Sequence, residues 1–106
     1  MSILEELYET LQQRKQADPG SSYVASLYAK GLDSILKKIG EETTEVVIAA
    51  KNGKAEATVY ELADLWFHCL VLMAREDIHP QQLIDELARR LGRSGLEEKA
   101  SRSSQH

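Results

Sequence analysis

The chain reads as all-α: a small helical bundle of four to five helices, completed by homodimerisation. Only two prolines occur in 106 residues, and alternating β-branched runs are scarce. Apolar residues instead recur at helical spacing, and turn signals at Asp18-Pro19-Gly20, Gly31, Asn52-Gly53 and Pro80 cut the chain into segments. One segment is too apolar on all sides for a small monomer to cover, and an unmet apolar face predicts a homodimer.

The elements follow in order. Ser2-x-x-Glu5 has the spacing of a capping box, with Ile3, Leu4, Leu7 and Leu11 repeating behind it. That helix stops before Asp18. Ser21-Ser22 can cap a short helix through Tyr23, Val24, Leu27 and Tyr28, broken at Gly31. Asp33 is placed to cap a long helix running to Asn52, with Gly53 as its left-handed stop. Gly40 lies inside that helix at a cost of about 1 kcal/mol relative to Ala. Close approach of another backbone or of substrate would explain it, and so would simple tolerance.

The next helix runs from about Lys54 to about Glu76. Pro80 suits the first turn of the last helix, whose Leu83, Ile84, Leu87 and Leu91 are expected against the core and which Gly92 ends. Residues 1–92 therefore form the domain. Residues 93–106 are weakly patterned and expected to be partly disordered, although Leu96 can dock.

Composition narrows the function classes. With 42% hydrophobic and 28% charged residues, the chain has the profile of a soluble globular protein. It opens with no basic-plus-apolar leader, and its longest apolar-rich stretch, about 14 residues, contains acids and is too short and polar to span a bilayer. The formal net charge of −4 argues against a nonspecific nucleic-acid binder. Cys69, the sole cysteine, rules out an internal disulfide or a multi-cysteine zinc site. Its apolar neighbours make it a packed thiol, and a reducing, cytoplasmic setting fits.

Acidic residues carry the chemistry. From Glu61 to Ala74 the chain reads ELADLWFHCLVLMA, where only Glu61, Asp64 and His68 are neither apolar nor Cys. Carboxylates are almost never buried unpaired, so something positive must meet them. Glu41, Glu42 and Glu45 form a second group, sharing a wedge about 100° wide on their helix, while Glu61, Asp64 and His68 share one of about 60°. Glu45 and Glu61 both lie eight residues from Gly53, so antiparallel packing across that turn brings the two groups to similar heights.

Like charges about 4 Å apart repel by roughly 4 kcal/mol at an effective dielectric near 20. A divalent cation relieves this, and an all-oxygen ligand set selects Mg²⁺, with Mn²⁺ as a substitute, over zinc. Glu41, Glu42 and Glu45 could equally form a solvated face paired with Lys37 and Lys38. Glu61 and Asp64 resist that reading because of their apolar surroundings.

His68 reads as a core residue or a hydrogen-bond partner of Asp64 rather than a ligand. Trp66, Phe67, Leu70 and Met73 read as core or dimer interface. Lys30, Lys37 and Lys38 either clamp phosphates or pair with the acids. Arg89, Arg90 and Arg93 end the last helix, where cations suit the dipole or bind phosphate.

E-E-x-x-E followed by E-x-x-D resembles the motif pair of the all-α nucleoside triphosphate pyrophosphohydrolases, the MazG-like superfamily. More narrowly, SYVASLYAKGLDSILKKIGEETTEVVIAAK, YELADLWFHCLVLMA and the terminal SGLEEKASR resemble the phosphoribosyl-ATP pyrophosphatase family of histidine biosynthesis. The acids alone point to the superfamily, and the flanking motifs to the narrower family. The resemblance implies Mg²⁺-dependent hydrolysis of phosphoribosyl-ATP to phosphoribosyl-AMP and pyrophosphate. It implies Glu42, Glu45, Glu61 and Asp64 as metal ligands and Glu41 and Glu45 as catalytic groups. Lys30, Lys37, Lys38 and Arg93 are then expected to bind substrate. The alternatives are a house-cleaning (d)NTP pyrophosphohydrolase and a non-catalytic helical dimerisation module.

Overall fold

The computed structural model describes residues 2–92. Five α-helices follow one another among them, with no strand: α1 (Ile3–Gln13), α2 (Tyr23–Lys30), α3 (Leu32–Lys51), α4 (Ala55–Arg75) and α5 (Pro80–Leu91). A short 3₁₀ turn, Arg14–Gln16, extends α1. The expected all-α bundle is borne out. The expectations for Arg93, Leu96 and the 93–106 segment lie outside the described residues.

Local chemistry sets the boundaries. The Ser2 and Ser22 hydroxyls each accept a backbone N–H at 3.2 Å, from Glu5 and Ala25, which caps α1 and α2. Asp33 is not a cap, contrary to expectation. Gly31, at φ +100°, ends α2 and begins α3 in a single residue, so Asp33 falls in the first turn and meets the helix dipole instead. Gly53, at φ +70°, is the left-handed stop after α3. At the head of α5, His79 Nδ1 accepts the Gln81 N–H at 3.0 Å while Gln82 Oε1 accepts the His79 N–H at 3.1 Å. That reciprocal cap uses a histidine where a hydroxyl is usual.

The two long helices, α3 and α4, form a hairpin packed along its length. Ile35, Ile39, Glu42, Val46 and Ala49 mark the inner row of α3, at spacings of three and four. Ala49 is buried at its lower end, and the neighbouring Ala50 is exposed. The row continuing from Glu42 reaches Ala49 in two turns, which sets the register. On α4 the corresponding row is Ala57, Glu61, Asp64, His68 and Val71. The acids thus stand in the seam itself, in positions that elsewhere along it hold Ile35 and Val71, both fully buried. Leu11, Leu27, Leu70 and Ala74 close the core from α1, α2 and α4.

Gly40 has open space where a Cβ would go, so no neighbouring backbone among the described residues explains that glycine.

The expected burial of α5 is not found. Leu83, Ile84, Leu87 and Leu91 are all exposed, Leu91 at 88%. Pro80 is buried and His79 stacks edge-on with Tyr8, but beyond that anchor the other helices do not reach across the α5 stripe. Trp66 on α4 is also 58% exposed, beside Val59 and Leu62. Leu4, Trp66, Met73, Leu83 and Leu87 line an apolar cleft of about 200 Å³ between these helices.

By length and composition alone, α4 could cross a membrane, which the short apolar stretch had not suggested. Its two mid-helix carboxylates face α3, and such groups are costly at a bilayer centre. The helix is accounted for as a bundle element.

Candidate metal centre and substrate cleft

The hairpin seam places Glu42, Glu61 and Asp64 together. Each is half-buried, and one carboxylate oxygen from each lies within 4.8 Å of the others. Glu45 stands just outside this triplet and is exposed, yet its charge acts on Glu61. The Glu61 carboxyl is held above its usual pKa, first by desolvation and then by the charges of Glu45, Asp64 and Glu42. Three converging carboxylates offer only hard oxygen donors, so the donor set fits a hard divalent cation rather than a thiolate- or imidazole-seeking one.

Glu41 lies outside the triplet, is exposed, and pairs with Lys38 at 3.5 Å. This pair begins a basic cleft of about 230 Å³ lined by Leu27, Lys30, Ser34, Lys37, Lys38 and Glu41. Gly31 builds it. The single-residue connection turns α3 back on α2, so Lys30 from the end of one helix meets Lys37 and Lys38 from the start of the next. The cleft and the acidic triplet share α3, one turn apart. Arg89 and Arg90, by contrast, pair with Glu86 on α5, at 2.7 and 3.2 Å.

His68 is 4% exposed and fully bonded. Its Nδ1 lies 2.7 Å from the Asp64 main-chain oxygen and its Nε2 lies 2.8 Å from the Tyr23 hydroxyl. The expected link to Asp64 therefore exists, but through the backbone carbonyl and not the carboxylate, because His68 follows Asp64 by one turn on the same face. Cys69 is half-buried, and burial pushes its thiol pKa up.

Tyr23 is the site residue that sequence reasoning missed. It was grouped with the apolar residues of α2, yet it is 50% exposed and its hydroxyl reaches the seam. Desolvation raises its pKa, Lys38 opposes that, and Glu42, Asp64 and Glu41 reinforce it. The available signal was its place directly after the Ser22 cap, at the mouth of the hairpin.

Comparison with known proteins bears on this arrangement. A family model described as phosphoribosyl-ATP pyrophosphohydrolase matches residues 4–91. A phosphoribosyl-ATP pyrophosphatase of Methylococcus capsulatus is 63% identical, covering 96% of this chain and 97% of its own. One from Geobacter metallireducens is 58% identical over 94% and 92% of the two chains. Another from Nitrosomonas eutropha is 51% identical over 96% and 87%. Near-complete coverage in both directions leaves little of any of these proteins unmatched, and the chain belongs to the phosphoribosyl-ATP pyrophosphohydrolase family.

Proposed function

We propose that this protein is a hydrolase that splits phosphoribosyl-ATP into phosphoribosyl-AMP and pyrophosphate, a step of histidine biosynthesis, with Mg²⁺ as its cofactor and Mn²⁺ as a substitute. The observation that carries the reading is the carboxylate triplet in the α3/α4 seam, one turn from a lysine-lined cleft. Family membership supports the substrate.

Glu42, Glu61 and Asp64 would hold the cation, with Glu45 completing the set. A cation bound there would neutralise triphosphate charge and lower the pKa of a bound water. Lys30, Lys37 and Lys38 take the phosphate oxygens in the cleft. Water adds to phosphorus, the α–β anhydride bond breaks, and pyrophosphate departs with its charge met by Lys37 or Lys38. Glu41 and Glu45 flank the path of the water, orienting it and taking up its proton. Catalysis of this kind is positioning and electrostatics.

The apolar surface along α4 and α5 supports a homodimer. Trp66, Leu83 and Leu87 stand uncovered among the described residues, and a second copy would bury them. Residues 1–92 are read as the catalytic domain and 93–106 as a C-terminal segment whose Arg93 adds to substrate binding. A cytoplasmic location suits a biosynthetic enzyme with one free thiol.

The test is pyrophosphate release with Mg²⁺ from phosphoribosyl-ATP, run beside ordinary NTPs and dNTPs. Preference for phosphoribosyl-ATP supports the reading. Equal or better turnover of (d)NTPs would replace it with a house-cleaning activity, and no hydrolysis at all with a binding module.

A further inference from the structure

We infer, resting on the activity proposed above, that a pocket between the α1 extension and α2 takes the ribosyl phosphate of the substrate. Arg14 is then the residue that tells phosphoribosyl-ATP from ordinary NTPs. Arg14, Ser21, Ser22, Tyr23, Val24 and Phe67 line this cavity of about 300 Å³, and no carboxylate is among them. The other arginines among the described residues each meet a carboxylate. Arg75 meets Glu76 at 2.8 Å, and Arg89 and Arg90 meet Glu86 at 2.7 and 3.2 Å. The Arg14 guanidinium has no acceptor among the described residues. Its five N–H groups form a planar fork, the geometry that holds a phosphate bidentately.

The remaining polar groups of the pocket have settled roles. The Ser21 hydroxyl donates to the Asp18 carbonyl at 3.3 Å. Ser22 Oγ accepts the Ala25 N–H at 3.2 Å, which leaves its own proton for the cavity. The Asp64 carbonyl can only accept, so its 2.7 Å contact places a proton on His68 Nδ1. In a neutral imidazole Nε2 then accepts, and the Tyr23 hydroxyl donates to it at 2.8 Å. That proton is committed inward, and the Tyr23 ring is held as a wall. Arg14 and Ser22 are the side-chain donors left for a ligand.

The position of the pocket fits the second phosphate. Phe67 follows Asp64 by three residues on α4, and Tyr23 bonds to His68 one turn beyond Asp64, so the cavity abuts the turn that carries a carboxylate of the triplet. The lysine cleft begins at Lys30, at the opposite end of the eight-residue α2, roughly 12 Å away at 1.5 Å per residue. Phosphoribosyl-ATP also carries charge at two ends, a triphosphate and a phosphate monoester, with the base between them. With the triphosphate against the lysines and the cation, the monoester falls to Arg14. An ordinary NTP has no group to put there.

The competing role for Arg14 is a cation at a helix end, where it suits the dipole. Steady-state pyrophosphate release from phosphoribosyl-ATP, with ATP as a competing ligand, separates the two in wild type, Arg14→Met and Arg14→Lys. Arg14 is exposed, so both variants should melt with wild type. Arg14→Met should lower kcat/KM for phosphoribosyl-ATP about thirtyfold and leave the inhibition constant of ATP unchanged. Arg14→Lys keeps the charge without the fork and should recover part of that loss. An unchanged kcat/KM, or equal losses for phosphoribosyl-ATP and ATP, would overturn the phosphate subsite alone. Wild type that releases no pyrophosphate would overturn the activity, and the subsite with it.

Discussion

Glu42 and Glu61, on helices that run in opposite directions, bring carboxylate oxygens within 4.8 Å of one another in the α3/α4 seam. Asp64 joins them, and desolvation together with these neighbours holds the Glu61 carboxyl above its usual pKa. Seam positions normally take residues such as Ile35 or Val71. The fold therefore carries an electrostatic cost where its two longest helices meet, and removing one charge relieves it. Metal-free Glu61→Gln should melt at or above the wild-type temperature in calorimetry at neutral pH. A clearly lower melting temperature would mean that Glu61 stabilises the hairpin.

The lysine cleft should act on affinity. Lys30 and Lys37 line it from α2 and α3, on either side of Gly31, and are exposed. Lys30→Met and Lys37→Met should each leave the melting temperature unchanged and raise KM for phosphoribosyl-ATP about tenfold, the usual scale of one hydrogen bond to a charged group. Steady-state kinetics checks this.

Much of the site was legible because helical spacing is. Glu41, Glu42, Glu45, Glu61 and Asp64 could be placed on two faces at matched distances from Gly53 without coordinates, and the hairpin does join three of them. The bond from His68 to the Asp64 carbonyl was half visible. Its direction to the backbone was not, since residues at i and i+4 share a face whether or not the side chains meet. Tyr23 was hidden because its contact spans α2 and α4, and no periodicity reports a contact between helices. The exposed α5 stripe failed for a related reason. An amphipathic pattern says that a face will be covered, but not by which chain.

His68 contributes to stability as well as to polarity. His68→Phe keeps a ring in the core but loses both hydrogen bonds. The Asp64 carbonyl retains its helical partner, and the half-exposed Tyr23 hydroxyl can turn to water, so no group is orphaned. The loss should be about 1–2 kcal/mol in urea unfolding with an unchanged slope.

Asp77 gives the fold an acid-sensitive point. It sits at φ +55° after α4 and accepts from Lys15 at 3.0 Å and Gln12 at 3.1 Å, which ties α1 to the α4–α5 turn. These hydrogen bonds, with the Lys15 charge, lower its pKa below the ordinary 3.8. A depressed carboxyl stabilises the fold above its unfolded value, and that contribution disappears as pH falls through the folded one. Asp77→Asn, which tolerates the same backbone, should be less stable than wild type at neutral pH. The difference should close only below the ordinary carboxylate range. Melting curves across acidic pH test the sign.

The uncovered apolar face predicts oligomer behaviour. Trp66→Glu places a charge in the middle of it without touching the seam, so wild type should sediment as a dimer and the variant as a monomer. Identical sedimentation of the two would move the interface elsewhere.

Calorimetric titration of the substrate-free protein with Mg²⁺ and Mn²⁺, beside Asp64→Asn, bears most directly on the whole account. Wild type should bind the ion saturably, and the variant should lose that binding while its helical circular dichroism is retained. Equal binding by both proteins, or none by wild type, would contradict a shared cation in the α3/α4 seam.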